Sequence, residues 1–250
     1  MKRFLSMLMT LVLLCGCFAM AEVKTFDYKV LEGLDGYSYD KFEKMWSLAG
    51  EYRIKAADGY ISVALIALGD KESVQGVMLT AGVYKSDGSI YGTIDKIEIL
   101  ADDTLISIKM MPLEGQQARL LTDTSAEALR LISEAKEISF KIALKNAGSG
   151  TFDPTADEIA DFVQAAKAII ENNMLSLSTN AGIDSEAIEK FEETYPITIE
   201  KKSSKNTGHT VNHSAPRIAI LEQISRTPPY PAIPKTSAGH RGSRPPARRA

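Results

Sequence analysis

The first 208 residues contain no histidine, since His209, His213 and His240 all lie near the C-terminus, and cysteine is confined to Cys15 and Cys17. Without histidine, the body of the chain cannot build a Ser-His-Asp or Cys-His site, nor a histidine-containing zinc site. With both cysteines at the extreme N-terminus it has no disulfide framework and must hold together by burial. Aromatics are scarce, at 7% of the chain. The side chains left for chemistry are carboxylates, lysine, tyrosine and hydroxyls.

What is present begins with a leader. Lys2 and Arg3 precede an apolar run of 11 residues, Phe4 to Leu14, and Ala19-Met20-Ala21 forms a small-residue cleavage site. This is the pattern of a secretory signal peptide. The run is shorter than the roughly 18–20 residues that span a bilayer. Leu13-Leu14-Cys15-Gly16-Cys17 also resembles a bacterial lipobox, in which Cys17 is lipidated and becomes the mature N-terminus. Cleavage after Ala21, leaving Glu22 first, is the alternative. Either processing gives an extracytoplasmic protein, secreted or held at the membrane through a lipid anchor alone.

Charge divides the rest. Residues 201–250 hold ten Lys/Arg against the single acid Glu222, a balance of +9, and the leader holds +2; with −3 on the whole chain, residues 18–200 carry −14. An acidic body does not suit nucleic acid, which is bound by neutralising phosphates. Seven of the ten prolines fall after Glu200. That composition fits a basic disordered tail contacting an anionic cell-surface polymer or the body itself, and equally a mis-joined end. The expected organisation is a signal peptide over 1–21, one domain over 22–200 and a tail over 201–250.

Within the body the hydrophobic pattern is mostly that of strands. Thr25 to Leu31 reads as a first strand, and Tyr37 to Gly50 as a short helix or irregular segment, with Asp40 and Glu43 as its N-cap pair. Asp58-Gly59 marks a hairpin between Glu51–Lys55 and Tyr60–Leu68, and the second strand, apolar at both parities, should be covered on both faces. Further strands are expected at Val74–Tyr84, Ile90–Leu100 with a bulge near Asp95-Lys96, Leu105–Met111, and briefly Ala118–Leu121. Thr124 and Glu127 predict a helix to about Lys136. Ile138–Leu144 alternates as a strand, and Lys145–Phe152 reads as a glycine-rich connector. Thr155 and Glu158 open a long amphipathic helix, followed by a shorter helix over Asp184–Glu193 and a strand at Ile197–Ile199. The fold class is therefore α+β: a mostly antiparallel sheet or sandwich of about seven strands, with one inserted helix and a C-terminal amphipathic helix.

Candidate sites are few. Asp87, Glu98, Asp102 and Asp103 lie near strand ends and could supply the carboxylate pair of a glycan hydrolase, although turn chemistry explains such aspartates more simply. Asp153, Asp157, Glu158 and Asp161 could gather around calcium, but they also suit the first turns of a helix. Tyr37, Tyr39, Phe42, Trp46, Tyr52 and Tyr60 are the only aromatic concentration. As an exposed ledge, Tyr39, Trp46 and Tyr52 would bind a sugar or a protein partner; as core, they would line the edge of the first sheet. No cofactor or metal is implied. The functional expectation is a non-enzymatic envelope module that binds an envelope polymer or another envelope protein. A carboxylate-based glycan hydrolase and a carrier of a small apolar ligand are the alternatives.

Overall fold

The computed structural model describes residues 26–202, except 57, 114–115, 146–147 and 180–183, and of Tyr91 the backbone only. The leader with Cys17, the three histidines and nearly all of the tail lie outside the described residues.

Among the described residues, twelve strands form two antiparallel sheets, with four α-helices. The elements are β1 (Tyr37–Asp40), β2 (Met45–Ala56), β3 (Gly59–Gly69), β4 (Val74–Lys85), β5 (Ile90–Gly92), β6 (Ile94–Ala101), β7 (Thr104–Lys109), β8 (Met111–Leu113), β9 (Gln116–Leu120), α1 (Ala126–Glu134), β10 (Ile138–Leu144), β11 (Gly148–Phe152), α2 (Ala156–Glu171), α3 (Met174–Thr179), α4 (Ser185–Thr194) and β12 (Ile197–Lys201). One sheet runs β1-β2-β3-β4-β9-β8, with β5 also on β4; the other runs β11-β10-β6-β7-β12. The fold is the expected α+β sandwich, with more strands than the pattern predicts.

Alternate residues on each strand face the space between the sheets. Trp46, Leu48, Tyr52 and Ile54 of β2 and Ile61, Val63 and Leu65 of β3 share one core with Ile97, Ile99, Ile106, Ile108, Phe140 and Ile142 of the second sheet. Tyr52 and Phe140 bridge the layers at 4.9 Å between ring centroids, and Phe140 meets Phe162 of α2 edge-on at 5.7 Å. Helix α2 begins where Thr155 and Glu158 form a capping box and buries Ile159, Phe162, Ala166 and Ile169. It can lie against β2 because of Gly50, where a Cβ would stand 2.1 Å from the Asp161 carbonyl oxygen. On the outer face of the larger sheet, Ala64, Ile66, Leu68 and Met78 form a second apolar cluster with Met45 and Ala49.

Several expectations are corrected. Tyr28–Leu31 is a 3-10 turn rather than a strand, started by Asp27 accepting from the Lys29 N–H. Tyr37–Gly50 contains no helix: β1 and the start of β2 make a hairpin, and Asp40 caps its turn by accepting from the Phe42 and Glu43 N–H groups. The bulge expected near Asp95-Lys96 is present, since Ile94 and Lys96 of β6 lie opposite the adjacent Leu144 and Ala143 and leave Asp95 as the extra residue; what the pattern did not show is that the chain also switches sheets at Thr93, β5 pairing with β4 and β6 with β10. The capping box before α1 is Thr122 with Ser125 rather than Thr124 with Glu127; Glu127 instead pairs with Arg130. Gly148–Phe152 is an edge strand on β10 rather than a connector.

Candidate functional site

The aromatic ledge is not a ledge. Trp46 and Tyr52 are 1% and 2% exposed because even-numbered residues of β2 face the core. Trp46 packs on Phe26 at 5.2 Å, and Tyr39, half-buried, stacks on Tyr28 at 5.2 Å. Only Phe42, at the tip of the β1–β2 turn, stands in solvent, at 99% exposure.

The acids are spent separately. Asp87 accepts from the Ser89 N–H at 2.8 Å, and hydrogen bonding from the Ser89 hydroxyl first and from that N–H second holds its carboxyl below the ordinary value. Asp102 accepts from the Lys136 and Glu137 N–H groups, and Asp103 accepts from the Thr104 hydroxyl and lies 3.9 Å from Lys201. Glu98 sits mid-strand between Lys96 at 2.7 Å and Lys141 at 3.0 Å. It is four residues from Asp102, about 13 Å at the rise of a strand, beyond the separation that glycoside hydrolysis uses. Asp157 and Glu158 occupy the first turn of α2, and among the described residues no group of His, Cys, Asp or Glu is placed to hold a metal ion. Beside Leu65, Leu79 and Phe162 the space between the layers is only ≈ 10 Å³, whereas a small-molecule pocket takes about 300 Å³ or more; the larger hollow, ≈ 620 Å³ beside Lys136, Ser139, Asp153 and Val163, is open to solvent and does not involve β3. The doubly apolar β3 is covered on both faces, as its pattern predicts, but it lines packed core.

One charged group behaves differently. Arg119 lies on β9 opposite Leu79 of β4, so it points to the inner face beside the core, and it is 1% exposed. Burying a cation costs several kcal/mol unless it is paired, yet Arg119 makes no ion pair among the described residues. One terminal nitrogen donates to the Leu120 carbonyl, while Nε is buried without an acceptor. The Phe191 ring of α4 covers the guanidinium at 4.5 Å. The next residue, Glu192, accepts at one carboxylate oxygen, Oε1, from the Thr122 and Thr124 hydroxyls, the latter at 2.7 Å. Burial pulls the guanidinium below its ordinary pKa, and the Glu192 charge opposes that shift. Helix α4 itself buries no residue.

Three elements bring these groups together. Strand β9 aims Arg119 inward, the capped turn before α1 presents Thr122 and Thr124, and α4, started by Asp184, carries Phe191 and Glu192. A guanidinium stays protonated at neutral pH and does not exchange protons, so the arrangement offers a fixed positive charge and hydroxyl donors rather than an acid or a base. The sequence reading missed it, although Arg119 shares its parity with buried Leu121 and so was marked to face inward. The separation of 70 positions between Thr122 and Glu192 left no local signal. No protein-family model, curated protein or solved structure matches this chain.

Proposed function

We propose that the chain is an exported cell-envelope protein that acts as a non-enzymatic binding or interaction module. Export rests on the leader. The observation that carries binding over catalysis is Arg119: the buried charged group without an ion pair is a guanidinium, which attracts and orients an anion without acid-base chemistry. Asp87, Glu98, Asp102 and Asp103 are each engaged by a turn, a backbone N–H group or a lysine.

Two measurements on the full chain in its own cells test this. Intact mass reports a lipidated Cys17 or an unmodified Glu22 at the N-terminus, and an N-terminus that retains Met1 overturns the export reading. A photo-crosslinking residue at Lys190, exposed on α4, is expected to give one discrete adduct with an envelope component, absent when the probe is at Ser89. Absence of any adduct, or release of sugar from purified envelope polymer by the purified protein, overturns the binding reading.

A further inference from the structure

Glu192 does an unusual job for a counter-ion. A carboxylate partnering a buried arginine ordinarily takes two parallel N–H bonds. Here its Oε1 is committed to two threonine hydroxyls, the ring of the neighbouring Phe191 lies on the Arg119 guanidinium, and the Arg119 Nε–H has no acceptor. The backbone of α4 fixes where the carboxylate can stand. A carboxylate not tied to that helix could accept from both hydroxyls and from Nε, satisfying the orphaned donor, whose burial without a partner is costly.

We propose that Arg119, Thr122 and Thr124 form a carboxylate-binding site, that Glu192 occupies it in place of an external ligand, and that α4 is its detachable cover. This rests on the binding-module reading and gives it a ligand class and a mode of control. The cover is suited to leaving. None of its side chains is fully buried, Ile188, Phe191 and Glu192 being half-buried, and at the site it places the Phe191 face on Arg119 and the Glu192 carboxylate on the two threonines. An entering carboxylate replaces Glu192 at the hydroxyls, and Glu192, on an exposed helix, is released to water without leaving a buried charge.

Chemical rescue in the full-length protein tests the assignment. Glu192→Ala empties the site, and sodium acetate is compared with sodium chloride at matched ionic strength. At ~100 mM, acetate is expected to raise the Tm of the variant by about 3 °C over chloride, the linkage shift of a ligand that binds near 10 mM. Wild type is expected to move by less than about 1 °C, because its own carboxylate competes. Adding Thr124→Val is expected to remove the acetate effect. Trp46 fluorescence verifies that each variant is folded. If Glu192→Ala does not fold, the Arg119 Nε–H resonance of wild type is followed in the same titration, where a saturable shift supports the site and a flat trace overturns it.

Superposed acetate and chloride curves for folded Glu192→Ala overturn the proposal. Stronger stabilisation by inorganic phosphate than by acetate overturns its ligand class. Failure here with the Lys190 adduct intact removes this site and leaves the module reading standing; rescue without any adduct does the reverse.

Discussion

Asp102 holds its backbone at φ 51° while its side chain accepts from the Lys136 and Glu137 N–H groups at 3.0 Å each. It therefore ties the β6–β7 turn to the end of α1 and tolerates a left-handed conformation that most side chains resist. Asp102→Ala loses both bonds and keeps the strain, whereas Asp102→Gly loses the bonds and sheds the strain. Urea unfolding should show alanine to be about 1 kcal/mol more costly than glycine. Equal costs would mean that the bonds alone matter. Glu98 makes a different prediction. Hydrogen bonding from Lys96 chiefly, and from Lys141, holds its carboxyl below the ordinary 4.5, against the opposing effect of desolvation. A depressed native pKa contributes stability that is present above the unfolded value and is lost as pH falls through the native one. The stability gap between wild type and Glu98→Gln should therefore be open at pH 7 and narrow progressively once the pH drops below 4.5. A gap constant down to about pH 3 would refute the assignment, since protonation removes the charge on which the pair depends.

Helix α2 packs on strand β2 closely enough at Gly50 that no side chain fits between them. Gly50→Ala would place a methyl 2.1 Å from the Asp161 carbonyl and 2.6 Å from Ala165 Cβ, which a packed interior cannot absorb. The expected loss is about 2–3 kcal/mol in chemical denaturation, and a loss within experimental error would mean that α2 slides freely on the sheet. Elements with one solvated face were legible in the sequence: β10 alternates, and α2 has a capping box and an apolar stripe. The segments misread as strand, helix or loop, Thr25–Leu31, Tyr37–Gly50 and Lys145–Phe152, are short or mixed. Their outcome depended on what lay beside them, because β1 exists by pairing with β2 and β11 by pairing with β10. The helix expected at Asp184–Glu193 forms, but its amphipathic pattern did not say which surface it meets.

Across the whole molecule, the sandwich class could be read from composition and pattern, while the division of strands between two sheets could not. The chain changes layer at Thr93 inside a stretch that reads as one strand, β5 returning to β4 while β6 pairs with β10 dozens of residues away. The Arg119 cluster has the same origin, being assembled from a strand, a turn and a helix that share no motif. The long central strands carry a related consequence. Apolar residues occupy both faces of β3, so moving the strand by one position would exchange one greasy surface for another, and hydrophobicity, which usually locks alignment, votes for neither. The lock is instead cut from missing atoms. Gly50 fits against the Asp161 carbonyl, and Gly69 against the Ser73 carbonyl and the Trp46 ring. A slip in either direction drives a side chain into a space shaped for none. The centre of this fold is aligned like a key, by its notches.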